Sequence, residues 1–485
     1  MNRKSFMKKA GLGTVTMGLA GCNNTRLVSS EKQEVPDFTE YNDGKKDASS
    51  VIQQVVDAGI GDIYFPKGIY RITKTITIDL NSVGVTSIFG NGTARILMEG
   101  KGPAFRFIGT HEGTANPSTV KDDVWKHQRS PMVDGIEIVG AHKEAIGIQA
   151  EGTIQFTVTR TSIRSAFHAV HLIKRNRNVV ISECHFYDNR GIGIFLDNLN
   201  LHQINIVNCH ISYNSKGGVV SKGTELRNLQ IGSCDIEGNM GDAESNVAAN
   251  IYIESRKGSC GEIAIMGCTI QHTHEAPDST NIFIDGKVAA QSNTRQHKDG
   301  NITIVGNVMS DANMNIDLQN ARGVVITGNT IWMGYNYNLR VHCCENFIVS
   351  DNMFDRNPVY HSSRRDNWNL AVLFSDCDGG IISGNHIRGA GEIESAVTIR
   401  DSRHMNVANC NILDFGRQGL LLENVSDSKV SDCIIRENRA EWREEAIAIR
   451  WKSGRDNMIT NNLFGNSFSV DDTIGHMNGN IEKSM

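Results

Sequence analysis

Ile181-Ser-Glu-Cys184 and Ile326-Thr-Gly-Asn329 are two copies of a short motif that recurs along the chain. Each copy has a β-branched residue, two mostly small or polar residues, then Cys or Asn, and an apolar residue two places later. Most copies are 22 to 25 residues apart, which is too short for a helix–strand unit but suits one turn through three short strands. The motif therefore predicts a parallel β-solenoid, in which each coil buries its apolar face against its neighbours. The eleven Cys or Asn positions are 184, 209, 234, 268, 307, 329, 352, 385, 410, 433 and 462.

The shared Cys/Asn position is predicted to be a turn whose side chains stack from coil to coil. Asn can hydrogen-bond its stacked neighbour, and Cys behaves as a small buried hydrophobe. Eleven cysteines in an exported chain would ordinarily suggest disulfides. Because six of them occupy this one position, we expect free thiols instead.

Composition narrows the possible functions. The chain has 485 residues, a net charge of −5, 47 Gly and 7 Pro. A solenoid core grows linearly with coil number, so this length is compatible with one domain. The acidic balance gives no basic field of the kind that nucleic-acid binding requires, so no nucleic-acid partner is expected.

The N-terminus predicts a targeting segment. Arg3, Lys4, Lys8 and Lys9 precede a short apolar stretch that ends in Leu19-Ala-Gly-Cys22, which resembles a bacterial lipoprotein lipobox. We therefore expect an exported lipoprotein, held at the outer membrane, periplasm or cell surface only through a lipid on Cys22. The predicted organisation is a signal peptide over 1–22, a flexible tether over 23–36, a β-helix domain with its cap over 37–470, and a polar tail over 471–485. The oligomeric state is left open.

A second motif precedes the coils. Tyr41-Asn-Asp-Gly44 and Asp47 lead into a predicted helix over 48–58, followed by Ile63-Tyr-Phe-Pro-Lys-Gly-Ile-Tyr70. A solenoid exposes its core at an open end, so this helix is expected to cap it. The segment resembles the N-terminal motif of the pectate-lyase-like superfamily. The resemblance implies an all-β fold, a single-stranded right-handed parallel β-helix with an N-terminal capping helix. It implies a polysaccharide lyase, hydrolase, epimerase or phage tail protein without deciding among them.

Alternation along the strands predicts which side chains face outward. Pairs such as Ile282/Ile284 and Leu339/Val341 should face the core, so their alternates should face solvent. We expect a carboxylate row of Glu254, Asp285 and Asp317, continued by basic residues on the next coil. The alternative is a solvated charged face without function. The predicted catalytic residues are His342, Arg340, Tyr337, His274, Asp285 and Asp317.

Three coils are overlong, and their extra residues are expected to leave the solenoid as loops beside this centre. The segments 270–280 and 355–366 are rich in His, Tyr and Arg. His272 and His274 could share a metal, but no third ligand is evident from spacing, so no metal site is predicted. Ca²⁺ is the one cofactor kept as a candidate. The predicted substrate-binding residues are Arg364, Arg365, His361, Tyr335, Tyr252, Glu254, His272 and Arg400.

These residue types favour a carbon–oxygen lyase that acts by β-elimination, or dehydration, on an acidic poly- or oligosaccharide rich in uronic acid. The reaction needs a base, an acid and cations that neutralise the substrate carboxylate, which Tyr, His and Arg can supply. One alternative is a pectinase-like glycoside hydrolase with paired carboxylates. Another is a glycan-binding solenoid without activity.

Overall fold

The computed structural model describes residues 37–482 except 114–115, 240–247, 256, 273–275, 277, 288–297, 356–370, 391–392 and 472. The predicted signal peptide, the tether and Cys22 lie outside the described residues. Among those described, no helix is long and apolar enough to cross a membrane.

The described chain winds through three parallel sheets, and each strand pairs with the equivalent strands of the coils before and after it. Sheet 1 contains Ile76–Asp79, Gly102–Ile108, Ala145–Glu151, Val219–Lys222, Ala249–Glu254, Thr280–Asp285, Ala312–Gln319, Gly334–His342, Val372–Ser375, Ile447–Trp451 and Ser467–Val470. Four strands run from sheet 1 into sheet 2: Val170–Ser182, Ile194–Val207, Val397–Arg403 and Gln418–Ser426.

Sheet 2 follows sheet 1 in each coil and leads into the Cys/Asn turn. It contains Asp62–Tyr64, Thr153–Ile154, Thr157–Thr159, Glu225–Gly232, Cys260–Met266, Gly300–Val305, Arg322–Thr327, Glu345–Ser350, Asp378–Ser383, Asn406–Ala408, Lys429–Ser431, Gly454–Arg455, Asn457–Thr460 and Gly475–Asn478. Two strands run from sheet 2 into sheet 3: Ser87–Met98 and Met132–Gly140.

Sheet 3 follows the Cys/Asn turn and completes each coil. It contains Gly68–Ile72, Ser162–Arg164, His185–Tyr187, His210–Ser212, Asp235–Glu237, Thr269–Gln271, Val308–Ser310, Thr330–Ile331, Met353–Asp355, His386–Arg388, Asn411–Leu413, Ile434–Arg436, Leu463–Phe464 and Ile481–Glu482. The helical segments are Thr39–Tyr41, Ser49–Asp57, Leu80–Val83, Pro117–Thr119 and Val124–Gln128.

The Cys/Asn ladder is present as predicted. Asn307 donates from Nδ2 to Asn329 Oδ1 at 3.0 Å, and Asn329 donates likewise to Asn352 at 2.9 Å. Cysteines at the same position are buried and donate weakly to backbone carbonyls; Cys209 Sγ lies 3.3 Å from Val207 O. The ten described cysteines are free thiols. The fold is therefore the predicted parallel β-helix.

A second ladder, which was not predicted, runs where sheet 3 leads into sheet 1, partly in the turn and partly at the start of the sheet 1 strands. Its side chains are buried, and each donates to the next at 2.7 to 2.8 Å. The amides from Asn189 to Asn315 therefore satisfy one another inside the protein. At the end of the column Asn338 accepts from Asn315, and its Nδ2 has no hydrogen-bond partner among the described residues. The members of this ladder are Asn189, Asn214, Asn239, Asn250, Asn281, Asn315 and Asn338.

The capping helix spans Ser49–Asp57 and buries Ile52, Val55 and Val56, close to the predicted 48–58. Gln53 donates to Thr77 O at 2.9 Å and accepts from Thr77 N at 2.8 Å. This side chain thus satisfies the backbone of the first strand of sheet 1, as a neighbouring strand would.

The predicted boundary at residue 470 is wrong. Gly475–Asn478 and Ile481–Glu482 pair with Asn457–Thr460 and Leu463–Phe464, so a further coil follows. Asn462 Nδ2 donates to Asn480 Oδ1 at 2.9 Å, which extends the ladder by one position. The polar composition of this coil, with Met477 in place of the β-branched residue, hides the motif.

Candidate functional site

One strand of sheet 1, Gly334–His342, carries four of the predicted site residues: Tyr335, Tyr337, Arg340 and His342. All four are half-buried. This single strand therefore places phenol, guanidinium and imidazole groups one after another across one coil of the solenoid.

Arg340 forms a two-pronged ion pair with Asp317 on the preceding coil. Nε lies 2.8 Å from Oδ1 and Nη2 lies 2.6 Å from Oδ2, while Gln319 Nε2 donates to Oδ2 at 2.9 Å. These hydrogen bonds raise the pKa of Arg340. The guanidinium remains 31% exposed above a carboxylate that is 1% exposed, so a cation faces the surface where an anion was predicted.

The predicted carboxylate row is therefore wrong in two respects. Asp317 pairs in register with Phe283 and Arg340, whereas Asp285 pairs with Glu254 and Gln319, so the carboxylates occupy two columns. The aspartates are also buried rather than solvent-facing. Arg340 covers Asp317. Asp285 Oδ1 accepts from Lys287 N at 3.0 Å and from Asn320 Nδ2 at 2.9 Å.

A compact cluster forms where the turn between sheets 3 and 1 meets this strand. The Tyr335 hydroxyl donates to Asp311 Oδ1 at 2.6 Å, and His272 Nδ1 lies 2.6 Å from Asp311 Oδ2. Asp311 is nearly buried, whereas the His272 side chain is 39% exposed. An ionised carboxylate only accepts hydrogen bonds, so the imidazole donates from Nδ1. The arrangement connects an imidazole and a phenol through one buried carboxylate.

Asp311 was not predicted. It occupies a turn position with φ +55°, outside the strand alternation that was used to find outward residues. Asp188 and Asp414 take the same left-handed conformation, each directly after a short strand of sheet 3. Asp is common in left-handed turn positions, so its presence here does not by itself indicate a functional site in the sequence.

His342 lies at the far end of the strand and has several partners. Nδ1 is 2.9 Å from Ser375 Oγ and 3.3 Å from Asp376 Oδ2, and Nε2 is 3.3 Å from Cys343 Sγ. Burial raises the pKa of the Cys343 thiol. Arg400, another predicted residue, pairs in register with Ser375, two coils from His342. These residues form a separate group from the His272 cluster.

Tyr252 and Glu254 lie on the outer face of sheet 1, several coils from the strand that carries Arg340. The Tyr252 hydroxyl donates to Glu254 Oε2 at 2.7 Å, and its ring stacks on Phe283 at 4.8 Å. Lys222 Nζ lies 5.0 Å from the centre of the same ring. Tyr252 is 4% exposed, so it packs an outer hydrophobic cluster rather than presenting a free aromatic surface.

Sheet 3 carries another charged group beside the His272 cluster. His210 Nε2 lies 3.3 Å from Asp235 Oδ2 and 3.6 Å from Glu237 Oε1. Burial, with the nearby Glu237 charge, raises the pKa of Asp235. Gln271 Nε2 donates to Glu237 at 3.3 Å, and so connects this group to the residue next to His272.

Four predicted site residues, His274, His361, Arg364 and Arg365, lie outside the described residues. The groups of three metal-ligating side chains in the described part of the chain are His342/Cys343/Asp376 and His210/Asp235/Glu237. Each contains an imidazole, whereas Ca²⁺ prefers oxygen ligands alone. Ca²⁺ therefore stays a prediction without a defined site.

Two family models match parts of the chain. A family model described as a right-handed β-helix region matches residues 128–257. This match agrees with the parallel β-helix that the described residues form. A second model, described as periplasmic copper-binding protein (NosD), matches residues 275–481. No curated protein sequence matches the chain.

Among solved structures, tailspike protein 3 of bacteriophage CBA120 is 10% identical, with a TM-score of 0.42 over 91% of this β-helix chain. The β-helix spans 60% of that tailspike chain. The A-module of a mannuronan C-5 epimerase from Azotobacter vinelandii is 12% identical, with a TM-score of 0.31 over 91% of this chain and 97% of its own. The catalytic unit of an alpha-1,3-glucanase from Streptomyces thermodiastaticus is 11% identical, with a TM-score of 0.35. The match covers 91% of this chain and 66% of the glucanase chain.

Proposed function

We propose that this β-helix protein is a carbon–oxygen lyase that cleaves a uronic-acid-containing poly- or oligosaccharide by β-elimination. The observation that carries the proposal is the His272–Asp311–Tyr335 cluster. In its broader form the proposal is a glycan-binding or glycan-processing protein, and the elimination chemistry is the finer step.

His272 acts as the base in this proposal. Its Nδ1 hydrogen bond to Asp311 orients the ring and stabilises the imidazolium that forms when Nε2 takes the proton next to the substrate carboxylate. The ring is partly exposed, so a substrate on the surface can reach it. Asp311 is a positioning residue here, because it acts through the imidazole.

Tyr335 supplies the acid. Its hydroxyl is held 2.6 Å from Asp311, on the same carboxylate that serves His272. A phenol in this position can protonate the leaving glycosidic oxygen and recover its proton through the carboxylate.

Arg340 binds a substrate carboxylate at a neighbouring subsite. It lies five residues beyond Tyr335, roughly 16 Å for a strand at about 3.3 Å per residue. One sugar does not span that distance, so the strand would contact several units of a chain. Because Asp317 already holds one edge of the guanidinium, the group is oriented before the substrate arrives.

The burial and the hydrogen bonds of Asp285 and Asp317 favour elimination over hydrolysis. A glycosidase of the paired-carboxylate type needs two carboxyl groups that reach the glycosidic bond. Asp285 and Asp317 are 2% and 1% exposed, and each accepts hydrogen bonds from neighbouring residues of the chain. The exposed proton-transfer group is an imidazole instead.

The deciding experiment incubates the protein with a panel of uronate polysaccharides and follows the ultraviolet absorbance of unsaturated uronates. A lyase gives rising absorbance together with shorter chains. Saturated reducing ends without absorbance would establish the hydrolase alternative. Binding without any product would establish a glycan-binding module and refute both enzymes.

Export is part of the same proposal. The NosD family is described as periplasmic, and the N-terminal motif predicts a signal peptide. Lipidation of Cys22 stays a prediction. Replacing Cys22 by Ser should release the protein from the membrane fraction or block processing, and a membrane-bound, normally processed variant would refute the anchor.

A second candidate function, copper binding, is favoured by one observation. His342, Cys343 and Asp376 offer three ligand atoms within 4.8 Å of one another, inside the segment that the NosD model matches. Thiolate and imidazole suit copper. Because burial raises the pKa of Cys343, binding would release a proton and strengthen as pH rises.

Copper titration followed by competition with a chelator tests this candidate. Wild-type protein should bind one equivalent, Cys343→Ser should lose it, and Asp401→Asn on the neighbouring surface should keep it. Equal binding by Cys343→Ser and wild type would refute the site.

A further inference from the structure

One imidazole and two carboxylates lie together on the outer face of sheet 3, on two neighbouring coils. His210 and Asp235 are register partners in adjacent strands, and Glu237 lies two residues beyond Asp235 on the same strand. Residues two apart in a strand share a face, and the intervening Ile211 and Ile236 are fully buried. The three polar side chains therefore point outward from the sheet and toward one another.

The ligand atoms of this group are spaced as they would be around one metal ion. His210 Nε2 lies 3.3 Å from Asp235 Oδ2 and 3.6 Å from Glu237 Oε1, and one ligand atom from each residue lies within 4.8 Å of the other two. Zn²⁺ binds nitrogen and oxygen ligands at about 2.1 Å in a tetrahedron, whose corners are then about 3.4 Å apart. Both distances from Nε2 are close to this value, so the group has the dimensions of a zinc site.

The Nε2 atom of His210 is buried without a hydrogen-bond partner in the described part of the chain. Its distance of 3.3 Å to Asp235 is short enough for a hydrogen bond, so it is the direction of the contact that is wrong for one. A buried polar atom that makes no hydrogen bond needs another ligand. A cation between the nitrogen and the two carboxylates would satisfy this atom and neutralise both negative charges.

A chain of hydrogen bonds holds Glu237 in place from the next coils. Gln271 Nε2 donates to Glu237 Oε2 at 3.3 Å, while Glu237 Oε1 faces His210. Ser310 Oγ in turn donates to Gln271 Oε1 at 3.4 Å, and Ser310 is buried. Outer side chains that orient a ligand in this way are typical of metal sites. Gln271 is thus a positioning residue for the carboxylate.

The residue types favour Zn²⁺ over Ca²⁺. Imidazole nitrogen is a good ligand for Zn²⁺, whereas Ca²⁺ prefers a larger set of oxygen ligands alone. Three protein ligands leave one position of a zinc tetrahedron for water or for an oxygen atom of a bound molecule. The group contains no thiol, which distinguishes it from the group that includes Cys343.

We propose that His210, Asp235 and Glu237 form a Zn²⁺ site with one open coordination position on the surface of sheet 3. His210 binds through Nε2, each carboxylate binds through one oxygen, and Gln271 keeps Glu237 oriented. The site uses none of the side chains of the His272 cluster. Zn²⁺ binding therefore does not depend on the elimination reaction, and it can be measured without a polysaccharide.

A Zn²⁺ titration in competition with a chromophoric chelator tests the site. The parent protein is Cys343→Ser, which removes the thiol from the other metal-ligating group. It should bind Zn²⁺ more tightly than Ca²⁺. Glu237→Gln and Asp235→Asn, which keep the shapes of the side chains, should each weaken Zn²⁺ binding at least tenfold. Gln271→Ala should weaken it by about tenfold, because loss of an orienting side chain typically costs about 10–100-fold in metal affinity.

His386→Asn, made in the same parent, is the matched control. His386 begins a strand in the same column of sheet 3 several coils away, but its register partners are Met353 and Asn411 rather than an acid. This variant should bind Zn²⁺ as the parent does, and circular dichroism confirms that each variant is folded. Equal Zn²⁺ affinity of Glu237→Gln and the parent, or no binding by the parent at submillimolar Zn²⁺, would overturn the proposal. So would an equal loss in His386→Asn, which would indicate binding to surface histidines in general. Failure of every polysaccharide in the lyase panel would leave this site standing.

Discussion

Two histidines near the turn between sheets 3 and 1 have opposite environments. His168 is 7% exposed, its Nδ1 accepts from Ile192 N at 3.1 Å, and its ring lies 4.4 Å from Phe167. Burial lowers its pKa to about 3. His272 is partly exposed and donates to the carboxylate of Asp311.

The two environments indicate that one histidine stabilises the fold and that the other is suited to proton transfer. A neutral imidazole that accepts a backbone hydrogen bond stabilises the fold, and the fold in turn keeps it neutral. An imidazole that donates its proton to a carboxylate has its tautomer and ring orientation fixed by that hydrogen bond. Substitutions in the two regions should therefore change different quantities.

The largest effect is expected for His272→Ala. Loss of a general base typically lowers the rate by about 10²–10⁴, so kcat/KM on the polysaccharide that the panel identifies should fall within that range. The melting temperature should stay within about 2 °C, because the side chain is partly exposed. His386→Ala, another sheet 3 histidine, is the control and should keep wild-type activity. Full activity of the His272 variant would remove it from the reaction.

His168→Ala should act on stability instead. It removes a buried ring and leaves the Ile192 N–H without its acceptor, so the free energy of unfolding should fall by about 3 kcal/mol. Urea denaturation measures the loss, and turnover per folded molecule should match wild type. A variant that is stable but inactive would reverse the assignments of the two histidines.

The pH dependence of stability should also reflect His168. Its folded pKa of about 3 lies below the unfolded value near 6.5, so the unfolded state binds more protons between these values. Stability from this group is complete above pH 6.5 and is lost as pH falls toward 3. Each pH unit in this range corresponds to about 1.4 kcal/mol, so the free energy of unfolding should fall by roughly 3 kcal/mol between pH 6.5 and pH 4. The His168→Ala variant should show a flatter profile over this range; an identical slope would contradict the environment described for His168.

The smallest effect is expected for Lys216→Ala. Its ammonium lies 5.9 Å from the Phe167 ring and adds to the lowering of the His168 pKa. An exposed contact of this kind contributes about 0.5 kcal/mol. Thermal unfolding at pH 7 should therefore change little, and a loss above about 1.5 kcal/mol would show that the region depends on this charge.

Much of the fold was predictable because the coils repeat. The ladder positions, the capping helix and the inward pairs of sheet 1, such as Ile282/Ile284, follow from a motif that recurs at every coil. The coil after residue 470 was missed because the copy of the motif that ends at Asn480 lacks the β-branched residue. The second asparagine ladder was missed because loop lengths vary in its turn; Asn239 and Asn250 are only 11 residues apart.

The candidate site was predicted in part. Arg340 and His342 lie on one strand as expected. Tyr335, which was expected to flank the exposed strands, lies on that same strand, and His272 lies near it. Asp317 was assigned to the wrong column because it was grouped with Asp285 by its charge, whereas the register of the strands places it beside Phe283. Asp311 was not foreseen because it is a turn residue whose role depends on a contact 39 residues away in the chain.

The run of cysteines in the ladder has a consequence for redox chemistry. Oxidation and disulfide exchange proceed through the thiolate, which is scarce when a thiol has a high pKa. A hydrogen bond with Cys184, together with burial, raises the pKa of Cys209 to about 12, and similar contacts raise the pKa of Cys234 to about 12. In an oxidising compartment, these thiols are therefore protected kinetically by the packed interior, and they can remain reduced after the coils have closed around them.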